Sequence, residues 1–471
     1  MTDTMTNPVT SADTGVSSAE AEVARLRATF ASGRTQPLEW RFQQLDALIR
    51  MLEESEDVIA AALASDLGRP EDDSWMGDVM PPVAEAKFAK KHLKSWVKPH
   101  RVSLPISQKP GKGWYDYEPL GVVFIVGPWN YPIHLVLAPL VGAIAAGNCA
   151  ILKPSEHTPA SAQVLADLVP KYLDPDAFSV VLGGAEATQD VIAQGVDHVF
   201  FTGGPEIGKA VMAAAAPHLT PVTLELGGKC PAVIAADANL EVTARRVAWT
   251  KLLNSGQTCV APDYVLVDRT VKDRFVELLK QAIVDQSPSG DGGRSMPIVS
   301  PRHAERLVGL LDGHGGEIIH GGGSAPADRA VDLTLVDEPD LHSRLMQEEI
   351  FGPILPILAV DSVDDAVRQI NRGPKPLAAY IFTTSKKLAR RYGKQVPAGS
   401  IVANHAAVQV LAPGLPFGGV GNSGMGAYHG KWGFEVFSHR KAYLSRAHRI
   451  DPRMVYPPYS PLTKRIMRKI F

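Results

Sequence analysis

The run GVVFIV at residues 121–126 is apolar at every position and rich in β-branched side chains. That pattern belongs to a strand buried on both faces, and such a strand needs helices packed above and below it. The chain that follows supplies them. A Pro-rich turn leads into an apolar, helix-like stretch from His134 to Ala146, then a short strand at Ala150–Lys153, a helix, and a third strand at FSVVL (178–182). Another helix leads to HVFFTGG (198–204), and a further one opens at Pro205. Strands alternating with helices at this spacing predict a doubly wound parallel sheet, whose ligands gather at the carboxyl ends of its strands.

After TLELGGK (223–229) a second series begins with PAVIAA and continues through YVLVD, LPILAV and LAAYIFTT, closing at SIVAN (400–404). This reads as a second α/β domain, and a chain of 471 residues with 45% hydrophobic content is long enough for two or three domains. Ahead of the first strand, Ala19 to about Gly68 has helical spacing, with Val23, Leu26 and Phe30, then Leu45, Leu48, Ile49 and Leu52, at three- and four-residue intervals. KGWYDYEPL (112–120) alternates aromatic and polar residues as a half-exposed strand should. SPSGDGG (287–293) and HGGGSAPAD (320–328) read as surface loops; no helix start follows the triple glycine, so it does not make a phosphate loop. No internal repeat is evident.

Charge excludes some partners. The 48 basic and 50 acidic side chains leave a formal charge of −2, so no global field draws the chain to nucleic acid. Three cysteines without a CxxC pair argue against a disulfide framework or a zinc ribbon, and for a reducing, cytoplasmic setting. No metal site is expected. The opening MTDTMTNPVTSADTGVSS has neither a basic n-region nor an apolar h-region and reads as a polar, disordered leader. No apolar run approaches the length of a spanning helix.

The strand ends carry the chemistry. VFIVGPWNYP (123–132) presents Trp129 and Asn130 at a strand's exit, where an Asn can be a turn residue or a side-chain donor to an oxyanion. ILKPSE (151–156) offers Lys153, Ser155 and Glu156, either as a solvated rim or as contacts for a nucleotide ribose. FTGGPEIG (201–208) puts Gly203, Gly204 and Gly208 at a strand-to-helix turn; it departs from the dinucleotide G-x-G-x-x-G spacing and lacks the P-loop Lys-Ser/Thr. Glu225 lies between two leucines, where burial would raise its pKa towards that of a general base, unless it pairs with Lys229 or caps backbone. QEEIFGP (347–353) offers Glu349 and Phe351, which alone would make only a helix cap and its apolar staple. Cys259 sits in NSGQTCVAPDYV among Gly256, Gln257, Thr258 and Ala261, which leave room for a substrate beside a thiolate; Cys149 and Cys230, in apolar runs, read as packing residues.

Taken in order, GPWNYP with Asn130, KPSE with Lys153 and Glu156, FTGG with Gly208, ELGGK with Glu225, GQTC with Cys259, EEIFGP and PFGGVGNSGMG (416–426) resemble the aldehyde dehydrogenase superfamily over residues 20–440. The short N-terminal region and the ending are similar to the class 3 branch of fatty- and aromatic-aldehyde dehydrogenases. The resemblance implies two doubly wound parallel-sheet domains with a small β oligomerisation arm. An NAD(P)-binding domain would be built from 1–100 and 118–226, a catalytic domain from 227–403, and a bridging segment with the tail from 101–117 and 404–471. It implies oxidation of medium- or long-chain aliphatic or aromatic aldehydes to acids through a cysteine thiohemiacetal and thioester. Cys259 would be the nucleophile, Asn130 the oxyanion donor and Glu225 the water-activating base, with Glu349 a second candidate. Trp129, Lys153, Ser155, Glu156, Gly203, Gly204, Gly208, Glu349 and Phe351 would serve the cofactor, NAD with NADP possible, and the protein would be a homodimer.

Two other readings have counter-indications in the same residues. A CoA-acylating enzyme would generally lack the carboxylate at Glu225, and a non-catalytic member would be free to lose Cys259, Glu225 or Asn130. The chain also departs from the class 3 pattern at VANHAAVQVLAPGLPFGG (402–419), where His405 and Ala406 replace an Asn-Asp pair in a segment that helps to line the substrate tunnel; His405 is expected to be structural. In the tail SPLTKRIMRKIF, Leu462, Ile466 and Ile470 recur every four residues among Lys464, Arg465, Arg468 and Lys469. This fits peripheral contact with a membrane surface, a lid over the substrate mouth, or a docked terminus.

Overall fold

A computed structural model describes residues 18–287 and 296–470. The polar leader up to residue 17, and SPSGDGG beyond Ser287, lie outside the described residues.

Two sheets form the body. In the first, the strands lie in the order Phe178–Val180, Cys149–Lys153, Val122–Val126, His198–Gly203, Val222–Leu226 and Gly424–Met425. All neighbours are parallel except the last pair, where Gly424 and Met425 run antiparallel to Glu225 and Leu224. The GVVFIV strand is central and wholly buried, as its unbroken apolar run requires. The order reverses on either side of it, so the switch point opens between the exits of Val122–Val126 and His198–Gly203.

The second sheet orders Glu317–His320, Thr334–Asp337, Ile354–Val360, Tyr264–Asp268, Pro231–Ile234, Ala378–Phe382 and Ser400–Ala403. Again one edge is antiparallel, between the first two strands. Both sheets therefore carry an antiparallel edge strand that an all-parallel expectation lacked. The two-residue Gly424–Met425 edge has no apolar run to announce it.

A third, small sheet joins His100–Val102, Gly111–Pro119 and Ser438–Arg446. Nine residue pairs connect its two long strands, from Ser438 opposite Pro119 to Arg446 opposite Gly111. The basic tail is a helix, Pro461–Ile470, on which Leu462 is exposed and Ile466 half-buried. Among the described residues no helix is long and apolar enough to cross a membrane.

Phe200, fully buried in the first sheet, packs its ring 5.2 Å from Tyr428 and 5.8 Å from Phe437, residues brought in from the far end of the chain. Phe200→Ala is expected to cost about 3–5 kcal/mol through the cavity it leaves. A clear drop in the midpoint of urea unfolding checks this; an unchanged midpoint would show that the late segment does not hold the sheet.

Candidate active site

One cavity of about 440 Å³ lies between the two sheets. On one side it is walled by carboxyl ends of the first sheet: Val126 to Asn130, Lys153 with Ser155 to His157, Phe201 to Gly204, and Glu225 to Gly227. On the other side it meets residues just ahead of strands in the second sheet: Cys259 before Tyr264–Asp268, Glu349 and Phe351 before Ile354–Val360, and Leu377 before Ala378–Phe382. The carboxyl-end rule thus holds for the first sheet, while the second offers its amino ends.

Cys259 is half-buried and opens on this cavity, whereas Cys149 and Cys230 are fully buried. The Cys230 thiol donates to the Cys259 carbonyl at 3.4 Å, which fixes the nucleophile's backbone from beneath. Burial, then the carboxylates of Glu349 and Glu225, push the Cys259 thiol up to about 12, although the backbone N–H groups of Cys259 and Val260 favour its charged form. Small neighbours do not by themselves make a thiolate here, so a base must take its proton.

The turn before Cys259 is strained. Asn254, Ser255 and Gly256 take successive φ values of 51°, 51° and 69°. Two of these are L residues in the left-handed region, a cost the surroundings must sustain. They do: Ser255 Oγ donates to the Met296 carbonyl at 2.5 Å, the Asn254 amide donates to the Asn130 and Gln257 carbonyls at 3.0 Å each, and Gln257 Oε1 accepts from the Val299 N–H at 2.9 Å. Asn130 Nδ2 donates to the Gln257 carbonyl at 3.0 Å, leaving one N–H of that amide for an oxygen in the cavity.

Glu225 is buried, and neither carboxylate oxygen has a hydrogen-bond partner among the described residues. Burial raises its pKa well above the ordinary carboxylate range. It does not pair with Lys229, whose ammonium binds Asp263 and the carbonyls of Leu345 and Glu348 at 3.0 and 2.8 Å. Asp263 in turn accepts the Ile350 N–H at 2.8 Å, so this ion pair moors the EEIFGP loop. Burial brings Glu349 to about 7, against the Gly228 N–H, with Asp263 raising it and Lys229 and Arg306 lowering it. A Cβ on Gly227 would stand 2.2 Å from the Glu349 oxygens, so only glycine lets this carboxylate approach the strand exit. Phe351 adopts φ 48° and sets its ring edge-on to Trp129 at 5.3 Å.

At the other end Lys153 Nζ donates to the Gly183 and Pro154 carbonyls at 2.8 and 3.1 Å and lies 3.4 Å from Glu156. Burial opposes the charge of Glu156, yet its own backbone N–H and Lys153 hold its carboxyl below the usual range. Ser155 Oγ accepts the His157 N–H at 3.2 Å. Gly203 and Gly204 lead into the Pro205–Ala215 helix, and a Cβ on Gly204 would meet no atom within 4 Å. The open space over that helix start suits a phosphate, so these residues fit a dinucleotide. Gly208 does not line the cavity: a Cβ there would meet Leu226 at 2.8 Å, so it serves helix-to-strand packing.

The cavity also holds residues not anticipated above: His157, His303, Arg306, Phe417 and Tyr428. His303 and Arg306 share one face of the Pro301–Leu310 helix, capped by Ser300, and the Ser-Pro start was the available signal for it. Arg306 donates to the Glu349 carbonyl at 3.2 Å. Burial brings His303 down to about 4, so it is neutral at physiological pH. From residues 402–419 only Phe417 reaches this cavity; His405 instead sits edge-on to Trp249 at 5.9 Å. No cluster of metal-ligating side chains occurs among the described residues.

A family model described as "Aldehyde dehydrogenase family" matches residues 4–443. A rat protein named "Aldehyde dehydrogenase, dimeric NADP-preferring" is 44% identical over 437 residues, 92% of this chain and 95% of its own. Rat "Aldehyde dehydrogenase family 3 member A2" is 44% identical over 447 residues, 94% of this chain and 92% of its own. The substrate-bound structure of Staphylococcus aureus AldH superposes with a TM-score of 0.90 at 39% identity, covering 96% of this chain and 99% of that one. A Mycobacterium tuberculosis aldehyde dehydrogenase complexed with NAD+ gives 0.84 at 28% identity, with 92% and 91% coverage.

Proposed function

The chain belongs to the aldehyde dehydrogenase family and is an NAD(P)-dependent aldehyde-oxidising enzyme, and from that premise we propose that it acts on medium- or long-chain aliphatic and aromatic aldehydes through Cys259, Asn130, Glu225 and Glu349. The observation that carries this reading is that these four side chains share one cavity with the Gly203–Gly204 turn. Phe417, Tyr428, Leu135 and Trp129 give the cavity the apolar surface such aldehydes require.

Glu349, at about 7, is the carboxylate ionised near neutrality and takes the Cys259 proton. The thiolate then adds to the aldehyde carbon, forming a C–S bond and moving the carbonyl electron pair to oxygen. The free Asn130 N–H and the Cys259 backbone N–H hold that oxygen. The nicotinamide, when bound, supplies an acceptor for the hydride released as the oxyanion collapses to a thioester. Glu225, with both oxygens free of hydrogen-bond partners among the described residues, activates the water that adds to the thioester and breaks the C–S bond. With a dinucleotide in the cavity, Lys153 and Glu156 would hold its distal ribose, and His303 and Arg306 would flank it from the second sheet's side.

A carboxylate at Glu156 favours a free 2′-hydroxyl over a 2′-phosphate, so NAD is the preferred cofactor in this reading. Glu156→Gln is expected to move the NADP/NAD ratio of kcat/KM towards NADP by about tenfold, a change of about 1.4 kcal/mol. An unmoved ratio would remove Glu156 from cofactor choice. The protein is proposed to be a homodimer, as the name of its rat relative says of that protein, and to work in the cytoplasm, where its three unpaired thiols stay reduced.

The testing experiment follows reduced-cofactor absorbance with hexanal, decanal, hexadecanal and benzaldehyde under NAD and NADP, with and without CoA. Turnover without CoA, best on the longer or aromatic members, supports the reading. Turnover that requires CoA would overturn the hydrolytic assignment of Glu225.

A further inference from the structure

We infer that the buried Arg69–Asp78 ion pair is a positioning device for the reaction, holding the Asn130 amide against Cys259 from the opposite side of the loop. The inference rests on the reading of Asn130 as the oxyanion donor and adds two residues that touch neither substrate nor cofactor.

Local structure brings the two charges together. The helix Glu56–Leu67 ends on Gly68 in the left-handed conformation, and Arg69 follows at once. The chain then makes a π-type turn, Trp75–Val79, which carries Asp78, nine residues after Arg69, back beside it. Such turns are uncommon and often mark functional places in helices. Both side chains are essentially inaccessible, at 1% and 0% exposure, so the pair cannot be a surface ornament.

The other side-chain hydrogen bonds of the pair lead to the catalytic loops. Arg69 Nη2 donates to the Asn130 carbonyl at 2.6 Å and to Asn254 Oδ1 at 2.9 Å. Asn254 is the first of the strained residues ahead of Cys259, and its own amide donates to the same Asn130 carbonyl. The guanidinium also lies 4.7 Å from the ring centre of Tyr131, whose hydroxyl meets that of Thr258, next to Cys259, at 2.9 Å. Asp78 Oδ1 accepts the N–H groups of Ile133 and His134 at 3.0 and 2.9 Å, tying down the other end of the 130–134 loop. A Cβ on Gly77 would stand 2.9 Å from the Tyr131 ring, so the π-turn is pressed against that loop. One ion pair therefore fixes the oxyanion donor and the nucleophile's turn relative to each other.

The test is a double-mutant cycle with benzaldehyde and NAD. Arg69→Gln/Asp78→Asn removes both charges together, keeps an acceptor for Ile133 and His134, and leaves no lone buried charge to unfold the protein. It is expected to retain its thermal midpoint and its NADH affinity by fluorescence titration. Its kcat should fall by roughly 10²-fold, with KM changing far less, and the pre-steady-state burst of reduced cofactor should slow in parallel. In an Asn130→Ala background, where there is no amide left to position, the same pair of changes should cost clearly less than in the wild type. If Asn130→Ala is itself impaired but the effects are fully additive, the positioning role is overturned. If the double variant keeps wild-type kcat, or loses NADH affinity and KM along with kcat, it is overturned as well. An Asn130→Ala enzyme with wild-type kcat overturns the assignment of Asn130, and the positioning role with it.

Discussion

Cys259→Ala is expected to lower aldehyde-dependent formation of reduced cofactor by roughly 10⁴-fold or more, because the covalent steps have no other nucleophile to pass through. The reasoning is steric before it is electronic. The other two thiols are fully buried, and Cys230 is already engaged with the Cys259 carbonyl and the Ala378 N–H, each at 3.4 Å, so neither can reach the cavity. Cofactor affinity should survive, since Lys153, Glu156 and the Gly203–Gly204 turn lie on the first sheet and are untouched. Stability should move little, since the side chain is half-buried and small. The measurement is absorbance of the reduced cofactor, alongside a fluorescence titration of NADH. Turnover within about tenfold of wild type would mean that the thioester route is not the one used.

The second large effect separates the two carboxylates. Glu225→Gln is expected to leave one fast equivalent of reduced cofactor per active site and then cut steady-state turnover by roughly 10²- to 10⁴-fold, because acylation needs only the thiol's base and deacylation needs a water activated. Glu349→Gln should instead suppress the burst itself. The pH profiles follow from the directions of the shifts. Glu349 sits at about 7, so the burst rate of the wild type should rise with pH through neutrality and lose that inflection in the Gln variant. Burial raises Glu225 well above the carboxylate range, so its basic form is gained at higher pH than an ordinary carboxylate's. Steady-state turnover should therefore rise with pH over a range higher than an ordinary carboxylate would set, and lose that rise in the Glu225→Gln variant. Rapid-mix absorbance over a pH series measures both. A burst lost in Glu225→Gln and kept in Glu349→Gln would exchange the two roles.

Much of this was legible in the chain. Parallel strands with helices on both faces must be apolar throughout, so GVVFIV, YVLVD and AAYIF declare themselves without a partner in view. The exits of those strands are local too, which is why Asn130, Lys153, Glu156 and Glu225 could be singled out where they stand. Other features depended on distant pairings. Arg69 and Asp78 lie in RPEDDSWMGD, which reads as an ordinary charged surface segment, and nothing in that spacing says the interior will receive both. His303 and Arg306 sit on an amphipathic helix whose facing cavity is assembled from several separate loops, those of Cys259 and Glu349 and the exits of the first sheet among them. Gly208 was read at a phosphate turn, yet its spacing from Gly204 on the helix turns it towards Leu226. The Cys259 site was read as thiolate-forming from its small neighbours; the opposing influence, two carboxylates from other loops, exists only once the fold is closed.

The two-residue strand at Gly424–Met425 has a consequence for how the protein is made. It covers the edge of the strand that carries Glu225, and Ser438–Arg446 likewise completes the small sheet begun by Gly111–Pro119. As the chain leaves the ribosome, the first sheet stands with an unpaired edge through the synthesis of some two hundred further residues, on the order of ten to forty seconds at ordinary translation rates. During that interval the nascent first half presents open backbone donors and acceptors to any neighbouring strand. Production of this enzyme is thus exposed to chaperone supply and to premature termination upstream of Gly424, and fragments ending there are the ones expected to aggregate.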